Sequence, residues 1–592
     1  MAQITASNSS QTYQIQKWLG LNESPDGDTG LKLGEASVIR NFRITRENHL
    51  QIRPGYAPKC VLEEGSPVDG LWQGYVNGKR HLLAACGGRL WDIDVENWEA
   101  EDVGDIDAGS VSFFGFSQKV YILTGQEYYV WDGYSPVAPV DGYAPVVVTA
   151  SPPEGGGTLL ERVNILTGKK RVKFSPDGAA REFQLPETDI SEVLYVNGAE
   201  VKWTADLDAG KVIFETAPAK GVNTVVVTWR KGSGANRSKV TGMKYAELYN
   251  GEADSRVFLY GDGSNLCVYS DLDENGLPSA EYFPDMNELA ADSANTPVTA
   301  LIRHYDNLLI FKPDGAFCAQ YAAKTLEDGT VTAAFYCSPV NREIGNAAPG
   351  QVKLILNDPY TLFGRSAYRW KVTAYGTRTE RSCVRISDRV GNTLAGFDLG
   401  RCVTFDDEGR QEFYICCGDE ALIYNYGNDT WYYYDHFPAA ALASVDGEIC
   451  FGDRNGRILH LSRKYRNDDL ADIDAYWESG SMNFDAEWTR KYSASLWVSV
   501  KPESQSRVTV TAQSNRKSDY AEKEVAYGLA SFENADFNHW AFGTNRKPQV
   551  RRVRLKVKKF TFSKLIFRSK SASSTATVLG VDLQVRYTGN VK

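Results

Sequence analysis

The chain has 592 residues, 42% of them apolar and 12% aromatic, which supplies several cores and excludes an intrinsically disordered polypeptide. Four Met stand beside 52 Gly, 32 Tyr, 25 Phe and 13 Trp, and apolar spacing of helical period is scarce, so strands joined by tight turns are expected. The net charge of −10 hides a split: residues 541–592 hold 13 Lys or Arg against one acid, Asp582, leaving −22 on the remainder.

The first residues, MAQITASNSSQTYQIQKW, show no basic segment followed by an apolar run. No later stretch approaches the roughly 20 apolar residues of a spanning helix. A soluble chain without a membrane span, synthesised in the cytoplasm, is therefore expected. Residues 1–68 read as an N-terminal arm, with residues 37–56 as candidates for a strand that closes a repeat array.

A repeat begins at residue 69. The segments GGRLWDIDVENWEAEDV (87–103) and ALIYNYGNDTWYYYDHF (421–437) both run apolar residues into an Asn-bearing turn and restart on a Trp, Trp98 and Trp431. Similar strand, turn and strand units lie at 119–133, 255–271, 307–321, 360–375, 412–426 and 447–462. Taking the second strand of each as a marker gives Trp91, Trp131, Val268, Phe317, Trp370, Ile423 and Ile458, spaced by 40, 137, 49, 53, 53 and 35 residues. Apart from one gap, that period suits four-stranded propeller blades. The expectation is six or seven blades over residues 69–150 and 236–475, with each Trp after the Asn turn starting an outer strand.

Residues 151–235 fill the gap. PPEGGG (152–157) reads as a linker, and the strand-rich stretch after it as a small inserted β-sandwich, with Asn197-Gly198 as a two-residue hairpin turn. From 476 to 592 the blade pattern gives way to longer strand-like runs without Cys, expected to form an independent, basic C-terminal β-sandwich. The fold class is thus all-β: a β-propeller with an inserted small β-sandwich and a C-terminal β-sandwich.

Chemistry is sparse. The ten Cys are scattered without C-x-x-C pairs and read as reduced, buried small hydrophobes. The six His are isolated, and LTGKK (166–170) lacks the first Gly of a phosphate loop. Asp271, Asp273, Asn275 and Gly276 mimic the start of a calcium loop, but position twelve is Tyr282, so an ordinary acidic loop is expected. GNDTW (427–431) has one residue too many for a sialidase-type Asp box, and no carboxylate pair stands out. No catalytic, cofactor or metal residue is assigned. In RRVRLKVKK, strict alternation places Val553, Leu555 and Val557 on one face and Arg552, Arg554, Lys556 and Lys558 on the other, about 7 Å apart. This row suits an acidic partner or a phosphate backbone, or is a solvated edge strand guarded by charge.

Three segments carry a resemblance: GLNESPDGDTGLKLGEASVIRNFRITRENHLQIRPGY (20–56), SAEYFPDMNEL (279–289) and ALIRHYDNLLIFKPDGAFCAQY (300–321). With them the chain resembles bacteriophage tail-nozzle proteins, the group of tail tubular protein B and the tail stabilisation proteins. The insert is similar to small β-domains of phage tails. The resemblance implies a non-enzymatic virion protein, a homo-oligomer closing as a sixfold ring (a hexamer) that extends the DNA conduit and gates genome ejection. It further implies contact with the tail adaptor or portal-proximal proteins, room for tail fibres or a needle, and passage of DNA without base readout. Under it, Arg552, Arg554, Lys556 and Lys558 are expected at a subunit or adaptor contact. The alternatives are a receptor- or carbohydrate-binding propeller using aromatics such as Tyr432 to Tyr434, or a propeller glycosidase.

Overall fold

Short runs rich in Val, Ile, Tyr and Trp, punctuated by Gly, Asn and Asp, become strands almost everywhere in a computed structural model of the chain. It describes residues 10–23, 29–197, 202–234, 236–250, 255–325, 331–371, 383–503, 505–517, 522–529 and 546–591. Among these, helix is confined to Ser238–Thr241, Gly391–Ala395 and the 3-10 turn Leu399–Arg401, and none is long and apolar enough to cross a membrane. The chain is all-β.

Among the described residues, seven four-stranded sheets follow one another along the sequence, spanning 68–105, 112–139, 245–290, 300–341, 353–385, 403–435 and 441–462. In the first six, consecutive strands are hydrogen-bonded neighbours. The seventh takes only three strands from 441–462 and is completed by Gly55–Val61, which pairs antiparallel with Arg457–Ser462. All seven marker residues, Trp91 to Ile458, sit on the third strand of their sheets.

The two aromatic turns differ in detail. Trp431 lies in the strand Thr430–Asp435, buried and stacked 4.7 Å from its cross-strand partner Tyr424. Trp98 does not start a strand: it sits in the turn at φ 62°, donating its N–H to the Asp94 carbonyl at 2.7 Å, and pairing resumes at Ala100. Two extra residues before the fourth strand, Trp98 and Glu99, displace the ring into the turn.

Contacts divide the chain into two compact units. One comprises Asp69–Phe363 and Trp370–Ser382. Within it, consecutive sheets share apolar layers. Leu83, Leu90, Val120, Ile122 and Trp131 join the first two sheets, Tyr121, Tyr128, Val257 and Leu259 the second and third, and Phe258, Leu289, Leu308 and Ile310 the third and fourth. Each such Leu or Ile contributes roughly 2 kcal/mol by leaving water.

The inserted segment belongs to this unit and has its own core. Its sheet begins at Val146–Ser151, before the expected boundary at 151, and places Lys169–Phe174 between that strand and Val225–Arg230. Phe174, Phe183 and Phe214 meet edge to face at 5.2 Å, and the buried Trp229 indole donates to Glu187 at 3.0 Å. The Asn197-Gly198 hairpin turn falls at residues 198–201, outside the described residues. Glu192–Asn197 joins Val225–Arg230, whereas Trp203–Asp206 turns back onto Lys211–Phe214 in a separate three-stranded sheet. The turn ending in Gly210, φ 64°, makes that local hairpin.

The other unit comprises Met1–Val68, Gly364–Arg369 and Cys383–Lys592. Beyond residue 473 it forms an eight-stranded and a six-stranded sheet, and both recruit the N-terminal arm. Ser10–Ile15 and the hairpin Phe42–Ile44/Leu50–Ile52 add to the long strand Thr577–Asn590, while Glu35–Arg40 pairs with Ile473–Ser479. Trp18 is fully buried, edge-on to Trp477 at 4.8 Å and to Phe567 at 5.6 Å. The C-terminal module is therefore not independent: its open edges and one of its core rings come from residues 10–52.

Candidate anion-binding cleft

The sequence FRITRENHLQI folds as a hairpin because Thr45 and Asn48 turn it: Asn48 takes φ 60° and donates to the Thr45 carbonyl at 2.8 Å. This turn presents Arg43, Arg46, Glu47 and His49 to a cavity of about 680 Å³. A second turn, Glu408 to Gln411, adds Arg410. Arg463 follows the strand Arg457–Ser462, Lys501 follows Leu496–Val500, and Arg546 precedes Gln549–Val553. A smaller lobe of about 310 Å³ shares Gln51, Arg463 and Lys501 and adds Arg466 and Glu503.

Two of the cations are spoken for. Arg43 is buried and pairs through Nη2 with Glu412, which also accepts from the Tyr414 hydroxyl at 2.7 Å. Burial opposes the Arg43 charge, but Glu412 holds it firmly protonated. Arg410 pairs with Asp407 at 2.7 Å. The remaining four, Arg46, Arg463, Lys501 and Arg546, are exposed to the cleft and form no ion pair with a described residue. Burial, then Arg43 and Arg410, lower the Arg463 pKa, with Glu412 and Glu503 acting against them. Burial also lowers the pKa of His49, against the nearby Glu47 carboxylate. The buried Arg43 keeps Nε and Nη1 without a hydrogen-bond partner. Such a pocket can hold an anion by charge and by guanidinium forks.

The residues singled out from the sequence lie elsewhere on the same unit. Val553, Leu555 and Val557 are buried while Arg552, Arg554, Lys556 and Lys558 are exposed, but these cations do not line one strand. Pairing stops at Val553 and resumes at Val557, because Leu555 and Lys556 both donate to the Ala494 carbonyl and Lys556 takes φ 54°. Arg552 lies over the Trp497 ring at 5.7 Å and donates to Ser495 at 3.1 Å. The even row of four cations is thus a broken one.

Other candidates are absorbed by structure. Asp271 pairs with Arg256 at 3.0 Å, Asp273 accepts the N–H groups of Asn275 and Leu277, and Glu274 pairs with Arg171 and Lys173. His81 meets Asp92 at 2.8 Å, His460 meets Glu448 at 2.8 Å, and His304 is buried; His539 lies outside the described residues. Tyr432 and Tyr434 are buried, so they are not a sugar platform. All ten Cys are free thiols, seven of them buried. The cleft escaped sequence reading because its cations come from five segments spread between residues 43 and 546.

No family model and no curated protein matches the chain. Among solved structures, a chain of the mitotic checkpoint complex is similar at 10% identity and TM-score 0.35, covering 69% of this chain and 93% of that one. A computationally designed protein is similar at 9% identity and TM-score 0.31, covering 68% and 99%. An auxiliary nutrient binding protein from Bacteroides thetaiotaomicron is similar at 8% identity and TM-score 0.27, covering 77% of each.

Proposed function

We propose that the chain is a non-enzymatic structural subunit of a bacteriophage virion, built on a seven-bladed β-propeller and assembling into a ring of the tail nozzle. In this reading the seven four-stranded sheets are the blades, and Gly55–Val61 is the strand that closes them. The shared apolar layers between consecutive sheets support it. The observation that carries the functional reading concerns residues 20–56, the segment similar to tail-nozzle proteins. That segment supplies strands to both C-terminal sheets and leads directly into Gly55–Val61, so the resembling residues tie the unit together.

The ring extends the DNA conduit and restrains the genome until adsorption. A heterologous interface repeated around an axis closes into such a ring. DNA passes without base readout, and the acidic bulk of the chain suits a wall that must not grip it. Arg554, Lys556 and Lys558, with Arg552 beside them, form the contact to a neighbouring subunit or the adaptor. Immunogold electron microscopy of phage particles, with antibody against residues 476–592, tests the reading. Label on the axis at the distal tail is the expected result. Label on peripheral fibres, or in the soluble fraction alone, would overturn it.

A further inference from the structure

The cleft has no role in that assembly reading, and the inference drawn from it does not rest on that reading. Its volume of about 680 Å³ lies within the range of small-molecule sites, roughly 300–1,000 Å³. Four cations that form no ion pair with a described residue face it. Clustered like charges repel one another, so the arrangement is more stable with an anion among them. Glu47 and Glu408 also line the cleft. The Glu47 carboxylate is held below its usual range by its own backbone N–H and by Thr45, so it is a fixed negative point rather than a proton donor.

We propose that the larger lobe is a binding site for a small anion carrying more than one phosphate group, held by Arg46, Arg463, Lys501 and Arg546. Guanidinium forks match pairs of phosphate oxygens, and several phosphates in one molecule answer several separated cations at once. A long nucleic-acid strand fits less well. The cleft's volume suits a compact ion, and Glu47 and Glu408 in its lining would repel a continuous phosphate backbone.

The test is calorimetric titration of the full chain with sodium tripolyphosphate at low ionic strength, where screening is weak. Saturable binding of one ion per chain is expected. The double variant Arg463→Gln/Lys501→Gln, both exposed and unpaired in the structure, is expected to weaken binding by about tenfold or more while its melting curve stays unchanged. Arg554→Gln/Lys558→Gln, on the broken basic row, is expected to bind as the wild type does. Absence of saturable binding, or equal weakening by both double variants, would overturn the proposal. Equal affinity for citrate would overturn the phosphate assignment, and preference for a single-stranded oligonucleotide over tripolyphosphate would replace it with a nucleic-acid groove.

Discussion

Arg53 and Asp468 form a two-pronged ion pair sealed from solvent, with Nη1 2.8 Å from Oδ1 and Nη2 on Oδ2. Arg53 also donates to the Asn41 side chain at 2.9 Å and to the carbonyls of Pro54 and Asp435. The Arg-Pro-Gly-Tyr turn is thus a fastening: Arg53 grips Asp468, and Gly55 lies so close to Asn467 that a Cβ there would meet its carbonyl oxygen at 2.1 Å.

Removing one partner strands the other. Arg53→Met is expected to cost about 3–5 kcal/mol, because Asp468 stays buried without its counter-charge. The pair Arg53→Met/Asp468→Leu is expected to recover most of that loss. Urea denaturation of the wild type, Arg53→Met, Asp468→Leu and the double variant, read as a double-mutant cycle, checks it; equal losses in Arg53→Met and the double variant would refute the pairing argument.

Trp18 places the largest ring of the N-terminal arm among Trp477 and Phe567. Trp18→Ala is expected to cost about 3–5 kcal/mol. A fragment starting at residue 473 is expected to remain unfolded or to aggregate, since the edges covered by residues 10–52 become open. Circular dichroism of that fragment, with and without the arm fused to it, gives the answer.

Lys491 is fully buried, and its ammonium donates to the carbonyls of Ala486, Thr489 and Thr561, the last two at 3.0 and 2.9 Å. Burial brings its pKa down to about 8, which leaves it mostly charged at pH 7. Lys491→Met is expected to destabilise by about 2–4 kcal/mol by leaving buried carbonyls unpaired. Thermal unfolding at pH 7 measures it, and a change below 1 kcal/mol (about) would contradict the role.

Glu247 is an acid raised to about 7 by burial, against which the Arg303 N–H, 2.9 Å from Oε1, acts only in part. Its folded pKa exceeds the unfolded value, so the folded state binds more protons between these two values. The associated stability is full below about pH 4.5 and is lost as pH rises through 7, at most about 3 kcal/mol. Glu247→Gln is expected to flatten this part of the stability curve. Denaturation midpoints of both proteins from pH 4.5 to 8 test the difference.

Much of the strand pattern was legible because it is local. Period-2 apolar runs and Gly or Asn turns are written in a few residues each, and the markers from Trp91 to Ile458 all reached equivalent third strands. What sequence could not supply was pairing at a distance. Nothing near Trp18 announces Trp477, and Glu192–Asn197 gives no sign that Val225–Arg230 is a partner. Arg43, Arg463 and Arg546 each look ordinary alone, and only the fold brings them to one cavity. Alternation did predict which of residues 552–558 are buried, but not the break at Lys556, which a distant carbonyl at Ala494 imposes.

The pairing of Val61 with Arg457 has a consequence for how the chain is made, for these partners lie 396 positions apart. On the ribosome, the strand Gly55–Val61 emerges early and has no partner until Arg457–Ser462 follows, at ordinary synthesis rates tens of seconds later. Loop closure over such a length adds only modestly to the thermodynamic cost, since that cost grows with the logarithm of length. The delay is kinetic. Until then an unpaired edge waits in the cell, so the growing chain is exposed to misassociation before this sheet is complete.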